Sequence, residues 1–167
     1  MTTRDHLIYH MQEQYSFERD YLSWLGEMEH GSADEQLRRL LHEERDGLRN
    51  EMETLDRGLS LLGARFRAER SPLVPGFKEA TERFKHRLNP SPDHRDIEAA
   101  LEVLRVSLMA VAEYQGDAEL ARAIGEQDVA LLLEENLHRR TESLETLQAF
   151  IPQLINKVSK SEARRAA

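Results

Sequence analysis

The sequence predicts an all-α protein, a four-helix bundle in which one long crossover connection carries a short extra helix. Apolar residues recur at intervals of three, four or seven along four long stretches, which is the spacing of one face of an α-helix. No stretch alternates apolar and polar residues as a half-buried strand does. Four of the 5 prolines fall between the second and third stretches, so the main break in the helical pattern lies there.

The first two predicted helices form a hairpin with a short turn. Helix one extends from about Arg4 to Glu29. Ser32 is the predicted N-cap of helix two, because Glu35 three residues later completes a capping box. Gly63 follows helix two as a C-terminal glycine. The apolar stripes consist of Leu7, Met11, Tyr15, Leu22 and Leu25 in helix one, and of Leu37, Leu41, Leu48, Met52, Leu55, Leu59 and Leu62 in helix two.

The crossover comprises about 30 residues and contains the extra helix. This short helix is predicted from Phe77 to Leu88, and the prolines at 90 and 92 end it, since prolines break helices. Helix three then begins near Asp93 and is closed by Gly125. Its apolar stripe consists of Ile97, Leu101, Leu104, Leu108 and Val111.

Helix four begins near Asp128, and Pro152 kinks or ends it. Residues 1–152 are therefore predicted to form the bundle, and residues 153–167 a basic C-terminal tail that frays. The stripe of helix four consists of Val129, Leu132, Leu133, Leu137, Leu144 and Leu147.

The connection lengths favour one class of four-helix bundle. The connections are short between helices one and two and between helices three and four, and long only between helices two and three. Ferritin-like bundles have one such crossover, whereas cytokine-like bundles have two. The sequence therefore predicts a ferritin-like bundle.

Composition excludes several classes of function. The chain has no cysteine, which rules out disulfides, iron–sulfur clusters and thiol catalysis and fits a reducing cytoplasm. A net charge of −8 argues against nucleic-acid binding, which needs clustered lysine and arginine. No apolar run reaches the ~18 residues that span a bilayer, and no signal-peptide pattern is present. We expect a cytoplasmic protein with no membrane or nucleic-acid partner.

Charged residues interrupt three of the apolar stripes and are the candidate metal ligands. Glu18 lies between apolar residues of helix one, and Glu44 between apolar residues of helix two. A buried lone carboxylate is costly unless it is paired or binds a metal. Glu135 and His138 in helix four are three residues apart, and Glu-x-x-His on facing helices builds di-iron and di-manganese sites. These four residues are the predicted ligands for iron or manganese.

Other interpretations of the same residues remain open. Leu133 and Leu137 can set the buried stripe so that Glu135 and His138 point sideways. Arg140 lies near the stripe of helix four and can pair with Glu18 or Glu44, so that an ion pair fills the centre in place of a metal.

Two further groups of residues receive minor interpretations. His6 and His10 are four residues apart and can bind nickel or zinc adventitiously, although no third ligand is evident from the sequence. Tyr21 and Trp24 are predicted to form part of an interface between protomers.

Three segments resemble the small bacterial ferritin-like proteins of the YciE/YciF type, a family without an assigned reaction. Tyr15-Ser-Phe-Glu18-Arg is similar to the Tyr-Ser-Ala-Glu-Lys of that family's first helix. Leu132-Leu-Glu-Glu135-Asn-Leu-His138 resembles its Leu-Leu-x-Glu-Thr-Leu-Asp in the fourth helix. Ala121-Arg-Ala-Ile-Gly125 is similar to the Leu-Gly that ends its third helix.

The resemblance implies a ferritin-like bundle, a homodimer, stress-associated expression in bacteria and iron or manganese binding. Glu18, Glu135 and His138 match ligand positions, and Glu44 stands where the family often has histidine. By contrast, non-ligating residues stand at three other ligand positions of the family: Gly47, Ser107 and Ala110. These departures favour a mononuclear site, or none, over a dinuclear one.

Two functions follow from these observations. In the first, the protein is a stress-associated bundle whose carboxylate and histidine metal site is partly lost, with Arg140 filling the centre and an unidentified protein as partner. In the second, it binds iron or manganese through Glu18, Glu44, Glu135 and His138 and handles oxygen or peroxide. No catalytic residue and no organic cofactor are predicted.

Overall fold

The computed structural model describes residues 1–67 and 69–166, which form five α-helices and no strand. Four of the helices are long and one is short, and the short helix lies in the crossover, which confirms the predicted fold class. The helices are α1 (Thr3–Gly31), α2 (Glu35–Leu61), α3 (Leu73–Leu88), α4 (Pro92–Ala123) and α5 (Gln127–Ala166).

Two antiparallel hairpins, α1–α2 and α4–α5, pack against each other through α2 with α5 and α1 with α4. Two clusters of buried apolar side chains occupy the two ends of the bundle. One cluster includes Leu25, Leu41, Val103 and Leu147, and the other includes Met11, Leu59, Ala118, Val129 and Leu133. The middle of all four long helices lies between these clusters. Helix α3 packs over α1 and α4.

Several predicted helix ends are confirmed. Gly63 and Gly125 both adopt a positive φ, 64° and 83°, directly after α2 and α4, as C-terminal glycines do. Helix α3 begins at Leu73, about one turn before the predicted Phe77, and ends at Leu88 as predicted. The Ser91 side chain caps α4, which begins at Pro92.

The predicted capping box of the second helix is wrong. Asp34 is the N-cap of α2, and its carboxylate accepts hydrogen bonds of 2.9 Å from the backbone N–H groups of Gln36 and Leu37. Ser32 instead ends α1, and its hydroxyl donates to the Met28 carbonyl at 2.9 Å. Ser32 satisfies a free carbonyl of the first helix, because the turn is two residues longer than the pattern indicated.

The buried face of α4 differs from the predicted stripe. The five predicted residues are partly or largely exposed, and Leu108 exposes 48% of its surface. The residues that α4 buries are mostly small and include Ala100, Val103, Val106, Ala110, Ala118 and Ala121. Small side chains let α4 approach its neighbouring helices closely, so alanine and valine occupy the buried face in place of the larger leucines.

Helix α5 continues across Pro152 through Ala166. Leu154 and Val158 beyond the proline are buried, so α5 adds apolar surface to the bundle there. The proposed division of the chain at residue 152 stays a prediction. None of the helices in the described part of the chain is apolar over a length that could cross a membrane.

The polar centre of the bundle

Six buried polar side chains meet where the four long helices cross the middle of the bundle, between the two apolar clusters. We call this group the polar centre. Its members come from every long helix and are Glu18, Glu44, Glu51, Tyr114, Asn136 and Arg140. Burial of this many charged groups is stabilising only when each has a partner.

Arg140 is the cation of the polar centre and is only 1% exposed. One of its terminal nitrogens donates to Glu44 Oε1 and the other to Glu51 Oε2, so the guanidinium joins α5 to two turns of α2. The hydroxyl of Ser143 donates to the second oxygen of Glu44. The predicted pairing of Arg140 with Glu44 is confirmed, whereas Glu18 is not its partner.

A second set of contacts surrounds Glu18, which is 1% exposed. The Tyr114 hydroxyl donates to Glu18 Oε1 at 2.5 Å and accepts a hydrogen bond of 3.1 Å from Asn136 Nδ2. Asn136 Nδ2 also donates to the Glu51 carbonyl oxygen at 3.0 Å. Among the described residues, no group donates a hydrogen bond to Glu18 Oε2. Glu18 therefore has a neutral partner in place of a cation.

The electrostatics of the two sets differ accordingly. Burial raises the pKa of Glu18 well above its ordinary value, and repulsion from Glu51 raises it further. Burial also raises the pKa of Glu51, to about 7, although the attraction of Arg140 opposes this. Burial by itself would lower the pKa of Arg140, but Glu44 and Glu51 hold it above its ordinary value. Arg140 is therefore held in its charged form, whereas the raised pKa of Glu18 favours the protonated acid.

The structure does not bring the four predicted metal ligands together. Glu18 and Glu44 lie in the polar centre, but Glu135 and His138 lie on the solvent-exposed side of α5. The Glu135 side chain pairs with Arg139, and His138 Nε2 lies 3.3 Å from Glu142 Oε1. The buried face of α5 passes through Asn136 and Arg140, so residues 135 and 138 are each rotated away from it.

The residues of the polar centre do not fit an iron or manganese ion. Glu44 and Glu51 already accept hydrogen bonds from Arg140, and the guanidinium lies among the buried carboxylates. Within residues 1–67 and 69–166, no three histidine, aspartate or glutamate side chains are arranged to hold a metal. Metal binding by Glu18, Glu44, Glu135 and His138 stays a prediction.

Three members of the polar centre were missed as site residues by sequence reasoning. Glu51 lies three residues after Leu48 and four before Leu55, which places it in the stripe of α2. Asn136 lies three residues after Leu133, so the same rule places it in the stripe of α5. The Glu-x-x-His spacing instead indicates Glu135 and His138, which flank Asn136 in the sequence. Tyr114 lies on the buried face of α4, which the predicted apolar stripe of that helix does not include.

The aromatic residues predicted at a dimer interface lie inside the protomer. Tyr21 is fully buried and Trp24 is 4% exposed, and both belong to the apolar cluster that contains Leu25 and Leu41. Their rings meet edge to face with centroids 6.0 Å apart, and Trp24 stacks on Phe77 of α3. Trp24 packs the crossover helix against α1, and both residues are buried within the protomer.

Comparisons with known proteins agree with this fold. Residues 2–160 match a family described as a domain of unknown function, DUF892. No curated protein sequence matches the chain. The crystal structure of the Escherichia coli stress protein YciF has 20% sequence identity and a TM-score of 0.85, over 94% of this chain and 99% of that one.

Two further structures are similar. YcfI of Rhodopseudomonas palustris, a protein with a proposed structural role, has 18% identity and a TM-score of 0.81, over 89% of this chain and 94% of its own. A protein of Xanthomonas campestris has 16% identity and a TM-score of 0.75, over 97% of this chain and 99% of its own. At these identities the likeness shows the fold alone.

Proposed function

Because the chain belongs to the DUF892 family, we propose that it is a stress-associated structural protein in which an ion pair fills the position of a metal site. The observation that carries this proposal is the charge of Arg140, held between Glu44 and Glu51 at the polar centre. The description of YciF as a stress protein supports the biological setting, and the role proposed for YcfI supports a structural function. In this proposal the bundle catalyses no reaction and acts by binding other proteins, among them a second copy of itself.

Electrostatics support the exclusion of iron and manganese from the polar centre. Two unit charges of like sign about 4 Å apart repel by roughly 4 kcal/mol at an effective dielectric constant of 20. A divalent ion beside the Arg140 guanidinium would therefore meet a repulsion of roughly 8 kcal/mol. It would also have to displace the guanidinium from both carboxylates, since Arg140 donates to Glu44 and Glu51.

Elemental analysis tests this proposal. Untagged protein is expressed in medium supplemented with iron and manganese, beside the variants Glu44→Gln and Glu135→Ala/His138→Ala. We expect no stoichiometric iron or manganese in any of the three proteins. About one iron or manganese per chain in the parent, lost in either variant, would overturn the proposal. It would favour the second function instead, a metal-binding protein that handles oxygen or peroxide.

The partner that we propose first is a second copy of the chain. The predicted apolar stripe of α4 supports this, because Leu108 is exposed and the other four residues are only half-buried. The five residues, Ile97, Leu101, Leu104, Leu108 and Val111, follow a four-three-four-three spacing. That spacing is typical of a coiled-coil seam, which packs best against another apolar seam. Identical seams related by a two-fold axis are self-complementary, so a homodimer buries both.

Sedimentation analysis checks the homodimer. We expect the parent to sediment as a dimer and Leu108→Glu to sediment as a monomer with unchanged helical content. Leu131→Glu is the matched control, since Leu131 is 63% exposed on α5 and lies outside the stripe. A monomeric parent, or a Leu108→Glu variant that dimerises as well as the control, would contradict this part of the proposal.

A further inference from the structure

A half-open cavity of about 290 Å³ lies between α1, α4 and residues 71–73, where the crossover runs into α3. Its lining contains three acidic side chains, Glu13 of α1 and Glu113 and Asp117 of α4. Glu113 and Asp117 are four residues apart, so they lie on one face of α4. None of the residues that line the cavity is lysine or arginine. The acids of this cavity therefore have no lysine or arginine in its lining to balance them.

Asp117 is the most deeply buried of the three acids. Its side chain is 3% exposed, and its ion-pair contact is with His10 Nδ1, which lies 3.2 Å from Asp117 Oδ1. Burial raises the pKa of Asp117 to about 7. Burial also raises the pKa of Glu113 above its ordinary value, and repulsion from Asp117 raises it further. A cation in the cavity would lower the cost of ionising both acids.

Gln14 supplies a further hydrogen-bond acceptor beside the acids. It lines the same cavity and is 3% exposed. Its Nε2 atom donates to Glu18 Oε1 at 3.5 Å, whereas its Oε1 atom accepts no hydrogen bond from the described residues. Buried carbonyl oxygens without a donor are uncommon in native proteins. Because Nε2 already contacts Glu18, Oε1 is the atom of Gln14 that a donor in the cavity can satisfy.

A bare metal ion does not fit this lining. His10 Nε2 lies at hydrogen-bond distance, 2.9 Å, from His6 Nε2. Within the two described ranges, no three histidine, aspartate or glutamate side chains are arranged to hold a metal. The volume of the cavity is instead close to the lower end of small-molecule sites, about 300 Å³. The lining therefore favours an organic cation.

The rest of the lining indicates which organic cation fits. Phe17, Pro72 and Leu73 add apolar walls, and the half-exposed Tyr9 adds an aromatic ring. Such walls suit a short alkyl chain. An ammonium group carries one positive charge and three N–H donors, which equals the number of acceptors that Gln14 and the two acids of α4 provide.

We propose that this cavity binds a primary alkylammonium ion, which is an aliphatic amine in its charged form. Its N–H groups donate to Asp117, Glu113 and Gln14 Oε1, and its alkyl chain packs against Phe17 and Leu73. The ligand supplies the positive charge that the lining lacks. The site uses none of the residues of the polar centre, so it is independent of the proposed function.

Calorimetric titration of the untagged full chain with butylammonium chloride tests this proposal. We expect saturable binding of one ion per chain with a Kd of about 1 mM or below, which is within the binding energy available to so small a ligand. Butan-1-ol is the matched ligand control, since it has the same alkyl chain without the charge. No saturable binding of butylammonium, or equal affinity for butan-1-ol, would overturn the proposal.

Two substitutions in α4 test the acceptors. Glu113→Gln and Asp117→Asn should each weaken butylammonium binding about ten-fold or more, as loss of a hydrogen bond between charged groups does. Glu119→Gln is the matched control, since Glu119 is an exposed acid of α4 that pairs with Arg122 outside the cavity. Circular dichroism should show the same helical content in all variants, because each amide has nearly the shape of the acid it replaces. Binding as tight as in the control would overturn the proposal.

The pH dependence of binding tests the role of Asp117. The affinity for butylammonium should rise about ten-fold from pH 6 to pH 8, because Asp117, with a pKa of about 7, ionises over this range while the amine stays charged. The other titratable groups that line the cavity are His10 and Glu13 of α1 and Glu113 of α4, and residues 71–73 add none. Asp117→Asn should lose most of this dependence. Equal affinities of the parent at the two pH values would overturn the role of Asp117.

Two further ligands identify the source of the amine. Butane-1,4-diamine represents a free polyamine, and the amide of Nα-acetyl-lysine represents a lysine side chain of another protein. Tighter binding of the diamine would identify a free amine as the ligand, and tighter binding of the lysine derivative would identify a protein side chain. Failure of both to displace butylammonium would overturn the proposal.

Discussion

Two of the three buried carboxylates in the polar centre, Glu44 and Glu18, have opposite kinds of partner. Glu44 is held by the charge of Arg140 and by Ser143, whereas Glu18 is held by the neutral hydroxyl of Tyr114. A nearby cation stabilises the ionised form of a buried acid. When the partner is neutral, burial raises the pKa of the acid and favours its protonated form. The same interior therefore holds an ion pair at Glu44 and, at Glu18, an acid whose raised pKa favours the protonated form.

Removal of the cation should have the largest effect on the stability of the polar centre. We expect Arg140→Met to lower the free energy of unfolding by about 3–5 kcal/mol at pH 7.5, because Glu44 and Glu51 would be buried without their cation. Denaturant unfolding measures this loss. Arg122→Met is the control, since Arg122 is exposed and pairs with Glu119 and Glu134 outside the polar centre, so its loss should cost less than about 1 kcal/mol. Equal losses in the two variants would contradict a central role for Arg140.

Removal of the Tyr114 hydroxyl tests how much Glu18 depends on its neutral partner. We expect Tyr114→Phe to cost about 1–3 kcal/mol, because Glu18 Oε1 keeps only the 3.5 Å hydrogen bond from Gln14 Nε2 and Asn136 loses an acceptor while both remain buried. Thermal or denaturant unfolding measures the loss. Tyr9→Phe is a matched control, since Tyr9 is 50% exposed and its hydroxyl can bond to water. A loss no larger than in this control would show that Glu18 does not depend on the hydroxyl.

The two sides also differ in how far the sequence predicted them. The pairing of Arg140 with Glu44 was predictable, because each residue interrupts an apolar stripe and opposite charges that are both buried must meet. The fold class was predictable for a related reason, since three of the four long stripes contain large apolar residues on the buried face. These are features that periodicity detects directly.

The buried faces of α4 and α5 could not be predicted from the sequence, because a small rotation of a helix decides which of its residues are buried. A shift of one residue turns a side chain by about 100° around a helix, which separates the exposed Glu135 from the buried Asn136. In α4 the buried apolar residues are mostly alanine and valine, while its leucines are half-buried or, at Leu108, exposed. Leucine is more hydrophobic than alanine, so a prediction based on hydrophobicity assigns the leucines to the buried face. Close packing between helices instead buries the smaller alanine and valine side chains.

A substitution of Glu18 gives the smallest and most informative effect. The pKa of Glu18 is raised in the folded protein by burial, so the unfolded chain loses its proton at lower pH than the folded chain does. Stability from this group is therefore highest below the unfolded pKa, about 4.5, and falls as the pH rises above it. Glu18→Gln removes the ionisation, and a shift of even one pKa unit is worth about 1.4 kcal/mol. We expect the variant to gain stability over the parent by an amount of this order at pH 8 and by less at pH 5, as measured by melting temperature at both values.

Glu44→Gln is the matched control, because it makes the same chemical change on the other side of the polar centre. Glu44 accepts a hydrogen bond from a charged donor, and loss of such a bond costs about 1.5–3 kcal/mol. The two substitutions should therefore have opposite signs at pH 8, one stabilising and one destabilising. Equal destabilisation by both would mean that Glu18 is ionised in the folded protein, since only an ionised acid loses charge on conversion to an amide. The hydroxyl of Tyr114 would then be enough to keep a buried carboxylate charged, and the distinction between charged and neutral partners would not hold in this bundle.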